Sequence, residues 1–447
     1  MEGNLLFLSG ILMPCQILAY KVIPFSILSL ILYFILITIK RNGLKIQKTG
    51  VLLLAVTLIN FAASMMGQLP GEWKQSSRNQ IIEFLAVVMI LFVQVTKTDL
   101  SDLIKGLKYG LLFNIFWAFI QYVCFRALKM DLNDVMFNQI LGIRDQASTI
   151  NTTIGTFCIA GLNWHPSQLV PIIILSYLLF DSIWIKIVLV ILAYISTNTT
   201  CMFSLALCCG LDIVSVLPKK VHRIKFRQLI TFVLILIVVN ATFFYLYCSD
   251  ENGIVIERIH GILERFSSVF TGRNLSHSTM LHLRYYTAYP DIVRLFGWKS
   301  LLFGVGFECS GYPFVVLFNQ YADLKSWHVE SDIINFLVGR GWIWTIVYYV
   351  ILIKLMIKGK ALNKRYSIMV ICFIVSGILY NTQVLWVEVL MLFMFVAVSK
   401  KTDVFTADKT DYIPPMGTYT VPKLEVGELF EQEKTADSPH NSTLSAE

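Results

Sequence analysis

A chain of 447 residues that is 56% hydrophobic and only 15% charged, with a mean hydropathy of +0.66, has lipid rather than water as its main solvent. This composition excludes a string of soluble domains. The net charge of +8 reads as cations on cytoplasmic loops and not as a nucleic-acid surface.

In chain order, apolar runs fall at 4–20, 22–39, 51–66, 80–96, 108–125 and 167–181, then at 184–197, 200–217, 228–247, 333–353, 367–383 and 385–399. About twelve runs of near bilayer length predict an all-α, polytopic membrane protein. No Lys or Arg precedes the first run and no small-residue cleavage site follows it, so it reads as a retained anchor. Lys and Arg gather in alternate short loops, most densely in PKKVHRIKFR (218–227), which places both termini in the cytoplasm. Two external loops then follow, about 126–166 and 248–332, both too long to be simple connectors. Residues 1–401 form one transmembrane domain. From 402 onward the sequence is polar, acidic and proline-bearing, and reads as a disordered cytoplasmic tail. No internal repeat is visible. The nine cysteines lie mostly in apolar runs with no CxxC pair, so they read as small buried hydrophobes.

The chemistry-bearing residues cluster in the two long loops. In the first, Arg144 is followed by NTTIGTFCIAGLNWHPSQL (151–169), which contains Gly155, Gly161 and His165. Arginine matches phosphate oxygens bidentately and glycine lets backbone approach a ligand, a pairing suited to a phosphorylated lipid head group; a solvated turn is the plainer alternative. The second loop holds RYYTAYPDIVRLFGWKSLLFGVGFE (284–308), and SWHVESDIINFLVGRG (326–341) runs from its end into the next apolar run, with Arg340 just beyond the loop. Arg273, Arg284, Arg294 and Arg340 supply fixed positive charge. Arg284 could instead pair with Asp291 across two helical turns. Tyr285, Tyr286, Tyr289 and Trp298 suit either an interfacial belt or a sugar-stacking platform. His328, Glu330 and Asp332 lead into an apolar helix, where a titratable group is costly unless paired or functional; Ser331 or Asp332 could also simply cap that helix. One histidine and two carboxylates in five residues lack a metal-site spacing, so no metal is expected.

The architecture together with RYYTAYPDIVRLFGWKSLLFGVGFE and the HxESDxxxxLxxxGxxW pattern from His328 to Trp344 resembles the O-antigen polymerase and ligase superfamily of bacterial envelopes, most closely the Wzy-type polymerases. The resemblance implies a GT-C-like glycosyltransferase in the bacterial plasma membrane. It would need no cofactor and would move an undecaprenyl-diphosphate-linked oligosaccharide onto another lipid-linked repeat unit at the outer face. It assigns the leaving diphosphate to Arg284 and Arg144, with Arg273, Arg294 and Arg340 as further cations. Glu330 or His328 becomes the base for the acceptor hydroxyl, with Asp332 orienting, and Tyr285, Tyr286 and His165 face sugar or lipid. The substrates and the bilayer are the implied partners, with room for a chain-length regulator and none for nucleic acid. An O-antigen ligase and a lipid-linked oligosaccharide flippase are the rival readings.

Overall fold

The computed structural model describes residues 2–20, 23–41, 47–66, 69–92, 96–142, 158–196, 198–220, 277–317 and 329–406. The predicted span 228–247 and the site candidates Arg144, Arg273 and His328 lie outside them. Chain contacts divide the protein into Met1–Asp408 and Lys409–Glu447, and everything described belongs to the first unit.

The described chain is helical apart from one two-residue antiparallel pairing, Ala19–Tyr20 with Ile23–Pro24. Its helices are α1 (Glu2–Leu12), α2 (Phe25–Arg41), α3 (Lys48–Met66), α4 (Gly71–Val88) and α5 (Lys97–Leu128), then α6 (Leu169–Leu179), α7 (Ile183–Ile195), α8 (Thr199–Lys220) and α9 (His277–Phe303). The last five are α10 (Tyr312–Val316), α11 (Asp332–Asn335), α12 (Gly341–Leu362), α13 (Arg365–Leu379) and α14 (Leu385–Ser399). Among the described residues, the stretches 48–66, 97–128 and 332–362 are long and apolar enough to cross a membrane, and they associate the chain with one.

Several elements differ from the sequence expectation for local reasons. The first run stops as a helix at Leu12 because Pro14 lacks an N–H and biases Met13 away from helical backbone. Helix α4 starts well before its apolar run, in GEWKQSSRNQ, because Pro70 sets the entry and the polar turns precede the apolar ones. Helix α5 extends back to Lys97 because Thr96 and Asp99 form a reciprocal capping box. The second long loop contains a 27-residue helix, α9, kinked where Gly297 adopts φ 75.

Helices α6 and α14 form the centre of the bundle. Every residue of α6 is buried, as is Trp386–Val398 of α14, matching sequences that are apolar except for Ser176 in the first and Glu388 in the second. Helices α1 and α5 cross with backbones almost touching: a Cβ on Gly106 would stand 2.0 Å from the Phe7 carbonyl oxygen. Small residues permit such crossings, where close van der Waals packing substitutes for a hydrophobic drive. After α14 the chain folds back, with Val404 donating to the Tyr366 hydroxyl at 2.9 Å and Phe405 packed edge-on against the Tyr366 ring.

Candidate functional site

The irregular segment after α9 runs against the last turn before α12. Val305 N–H donates to Val338 O at 2.8 Å and Gly306 N–H to Gly339 O at 3.2 Å, a two-bond ladder between two broken helices. Residues 336–340 form a π turn, the kind of bulge that often marks function. Gly341 ends it at φ 79, and a Cβ there would stand 2.3 Å from Gly304 N, so the crossing requires glycine on steric grounds. Asn60 of α3 clamps the junction, donating to the carbonyls of Phe303, Gly339 and Arg340.

Arg340 lies inside this crossing. Its Nε donates to Glu308 at 3.1 Å, a second guanidinium nitrogen also donates to Glu308, and Nη1 donates to Glu388 of α14 at 2.7 Å. Phe307, Phe336 and Trp344 box the guanidinium, with ring centroids 4.2, 4.4 and 4.3 Å from its carbon. Arginine suits such a box because it is weakly hydrated, planar and permanently charged. A side chain expected to meet a diphosphate is thus engaged on both edges by carboxylates and buried.

Asp332 is also internal. Its two oxygens accept from Thr382 N (3.0 Å), Gln383 N (3.1 Å) and the Thr382 hydroxyl (2.7 Å). The carboxylate therefore fixes the extended link between α13 and α14 and supports α11 indirectly, while Ser331 holds the N-cap position without a side-chain cap bond.

The rim above this core gathers most of the remaining candidates. The Tyr286 hydroxyl lies 2.9 Å from Ser331 Oγ and donates to Ile378 O at 2.6 Å, tying α9 to the residue beside Glu330 and to the end of α13. Arg284 is exposed and lies two residues before Tyr286 on α9, about 200° around the helix from it. Burial raises the Glu330 carboxyl above the usual carboxylate range. Half-buried Tyr380 lies within electrostatic reach of Glu330, Cys158 and Tyr285, so the end of the first long loop approaches the same place. Tyr285 faces inward with its ring 5.2 Å from Phe314, edge to face. Arg294 is 82% exposed and pairs with Asp291 at 3.3 Å. Ten helical residues put Arg294 about 15 Å along the axis from Arg284.

The first loop is anchored by neutral groups. Gln121 Oε1 accepts from Gly161 N at 3.1 Å, Asn133 Nδ2 donates to Gly161 O at 2.8 Å, and Trp117 Nε1 donates to Asn133 at 2.8 Å. His165 caps the turn Pro166–Gln168 by accepting from Ser167 N at 3.2 Å, and burial pushes its imidazole down to about 4. It is therefore neutral at physiological pH.

Glu308, Tyr380, Thr382, Gln383 and Glu388 were not singled out from sequence. The lone glutamate in LWVEVLMLF was the one visible signal, an ionisable residue inside an apolar run. Among the described residues no three His, Cys, Asp or Glu side chains converge as a metal site. No protein-family model matches this chain, and no curated protein matches it.

Proposed function

We propose that the protein is a membrane glycosyltransferase of the Wzy polymerase type. What supports this reading is the Tyr286–Ser331 bond, which ties the turn of α9 that carries Arg284 to the residue next to Glu330. A glycosyl transfer from a lipid diphosphate needs a fixed cation for the leaving group and a base for the acceptor. Glu330 takes the proton of the acceptor hydroxyl as its oxygen bonds to the anomeric carbon. The bond from that carbon to the diphosphate oxygen breaks, and Arg284 balances the charge that develops. A carboxyl raised by burial is a better base than an ordinary one once ionised, since its conjugate acid is weaker. Arg144, Arg273 and His328 remain part of the proposal as residues outside the described ones. Arg340 and Asp332 serve by holding the broken helices that carry the site.

In this reading the shorter apolar helices complete their crossings with adjoining turns, giving about twelve spans in the bacterial plasma membrane with both termini cytoplasmic. One specific observation favours a second reading. Buried charges on interrupted helices are also how transporters build midplane sites, so a lipid-linked oligosaccharide flippase is the alternative. Purified protein in nanodiscs, incubated with the host's undecaprenyl-diphosphate-linked repeat unit, separates them. A ladder of lengthened lipid-linked products, abolished by Arg284→Ala and Glu330→Gln, is expected. Unchanged substrate that crosses the bilayer of proteoliposomes would replace the polymerase with the flippase. Product formed only when a lipid A core acceptor is added would identify a ligase.

A further inference from the structure

Two carboxylates bond one guanidinium, and a third lies near one of them. Glu308 and Glu388 bond Arg340, and Glu83 of α4 lies within electrostatic range of Glu308, an excess of two negative charges if all ionise. Asp332, on the same stretch of chain, is already met by three donors from Thr382 and Gln383. Uncompensated charge in an apolar interior is costly enough that such groups neutralise.

The two Arg340 partners are not equivalent. Glu308 receives two guanidinium N–H groups and stands 3.5 Å from the Asn335 amide nitrogen. Glu388, with no exposure at all, receives a single donor on Oε1, and its Oε2 has no hydrogen-bond partner among the described residues. The groups facing it are Arg340 from the π turn, Glu308 from the loop after α9, Asp332 from α11 and Tyr348 from α12. Tyr348 is fully buried, stacks on Trp344 at 5.0 Å, and its hydroxyl is likewise without a partner among the described residues. The aromatic box supplies no oxygen ligands, so a metal cation would find too few partners there.

We propose that the Arg340 crossing is a proton-binding site, in which Glu388 carries one proton on Oε2 at neutral pH while Oε1 accepts from Arg340. The occupant is the proton itself, taken reversibly from water, and the site is independent of any glycosyl transfer. Because Arg340 ends the π turn held against Gly304–Gly306, proton occupancy sets the charge that grips both broken helices.

Infrared difference spectroscopy of the whole protein in nanodiscs tests this. Wild type at neutral pH should show the carbonyl stretch of a protonated carboxyl, which loses a component in Glu388→Gln and keeps it in Glu83→Gln. In Glu388→Asp, which preserves a carboxyl if the glutamine variant does not fold, the component should shift in frequency. Absence of the wild-type component, or its survival unchanged in every Glu388 variant, overturns the proposal. Loss in Glu83→Gln alone moves the proton to Glu83 and also overturns it. Appearance only after sodium and potassium are removed would make the occupant a metal cation and do the same.

Discussion

Two irregular segments are pinned to the bundle by opposite chemistry. The stretch 158–168 is held by amides, with Gln121 and Asn133 answering the backbone of Gly161 and Gln168 answering Trp164. The crossing of 303–308 with 336–341 is held by ions, Arg340 between Glu308 and Glu388. Amides fix backbone without net charge, so losing one strands a dipole. Ions fix it more strongly, but losing one strands a charge. The amide-held segment should therefore tolerate change that the ion-held one does not.

The sharpest way to break the contrast is at Arg340. Arg340→Met fills similar volume but leaves Glu308 and Glu388 without their cation, and should cost about 3–5 kcal/mol, or abolish folding, as measured by thermal unfolding in detergent. The double variant Arg340→Met with Glu308→Gln removes the stranded charge and should recover part of that loss. If the single variant melts within a few degrees of wild type, the ionic grip is not what holds the crossing.

At the rim the effect moves from stability to rate. Glu330→Gln should lower turnover by about 10²–10⁴ with an unchanged melting temperature, because a general base is removed and little packing is lost. Glu330 is raised by burial, and a base works only when ionised. The wild-type rate should therefore rise with pH through a midpoint above the usual carboxylate range, and a flat profile there would argue against Glu330 as the base.

The amide side gives smaller stability changes. Gly161 sits at φ 63 with Asn114 Oδ1 2.2 Å from where a Cβ would be, so Gly161→Ala should cost about 1–3 kcal/mol. Gln121→Leu leaves the Ala160 and Gly161 N–H groups without their acceptor and should cost a similar amount, about 1–3 kcal/mol. His165 adds a pH signature. Its folded value is about 4 against an ordinary 6.5, so the folded state resists a proton that the unfolded state takes. Above about pH 6.5 both states are neutral and His165 contributes nothing to the pH dependence. Stability should fall as pH drops from 6.5 toward 4, and His165→Asn should flatten that slope.

Helical class was legible in the sequence because periodicity and hydropathy act locally; α7 at 183–195 and α14 at 385–399 nearly coincide with their apolar runs. The sequence marked Glu330 and Asp332 as ionisable groups at the mouth of an apolar helix, but not that Asp332 would be turned inward to accept from Thr382 and Gln383. The partners of Arg340 were not legible. Glu308 and Glu388 lie 32 and 48 residues away, and nothing local indicates which arginine of several will be drawn inward. Glycines gave a partial signal. Gly304 and Gly341 stand inside the two quoted motifs, but that each lets the other's backbone approach is a fact about their crossing.

The smallest effect should come from the arginine most like Arg340 in sequence setting and least like it in surroundings. Arg294 also follows apolar residues and also has an acidic partner, but it is 82% exposed and its bond to Asp291 spans one turn. Water screens that pair and side-chain entropy opposes it, so Arg294→Ala should change stability by less than about 1 kcal/mol. Standing about 15 Å from Arg284, it should also lower turnover far less than Arg284→Ala does. Equal loss in the two variants would mean that the diphosphate bridges both positions, and the cationic part of the site would then run along α9 instead of being confined to the turn beside Ser331.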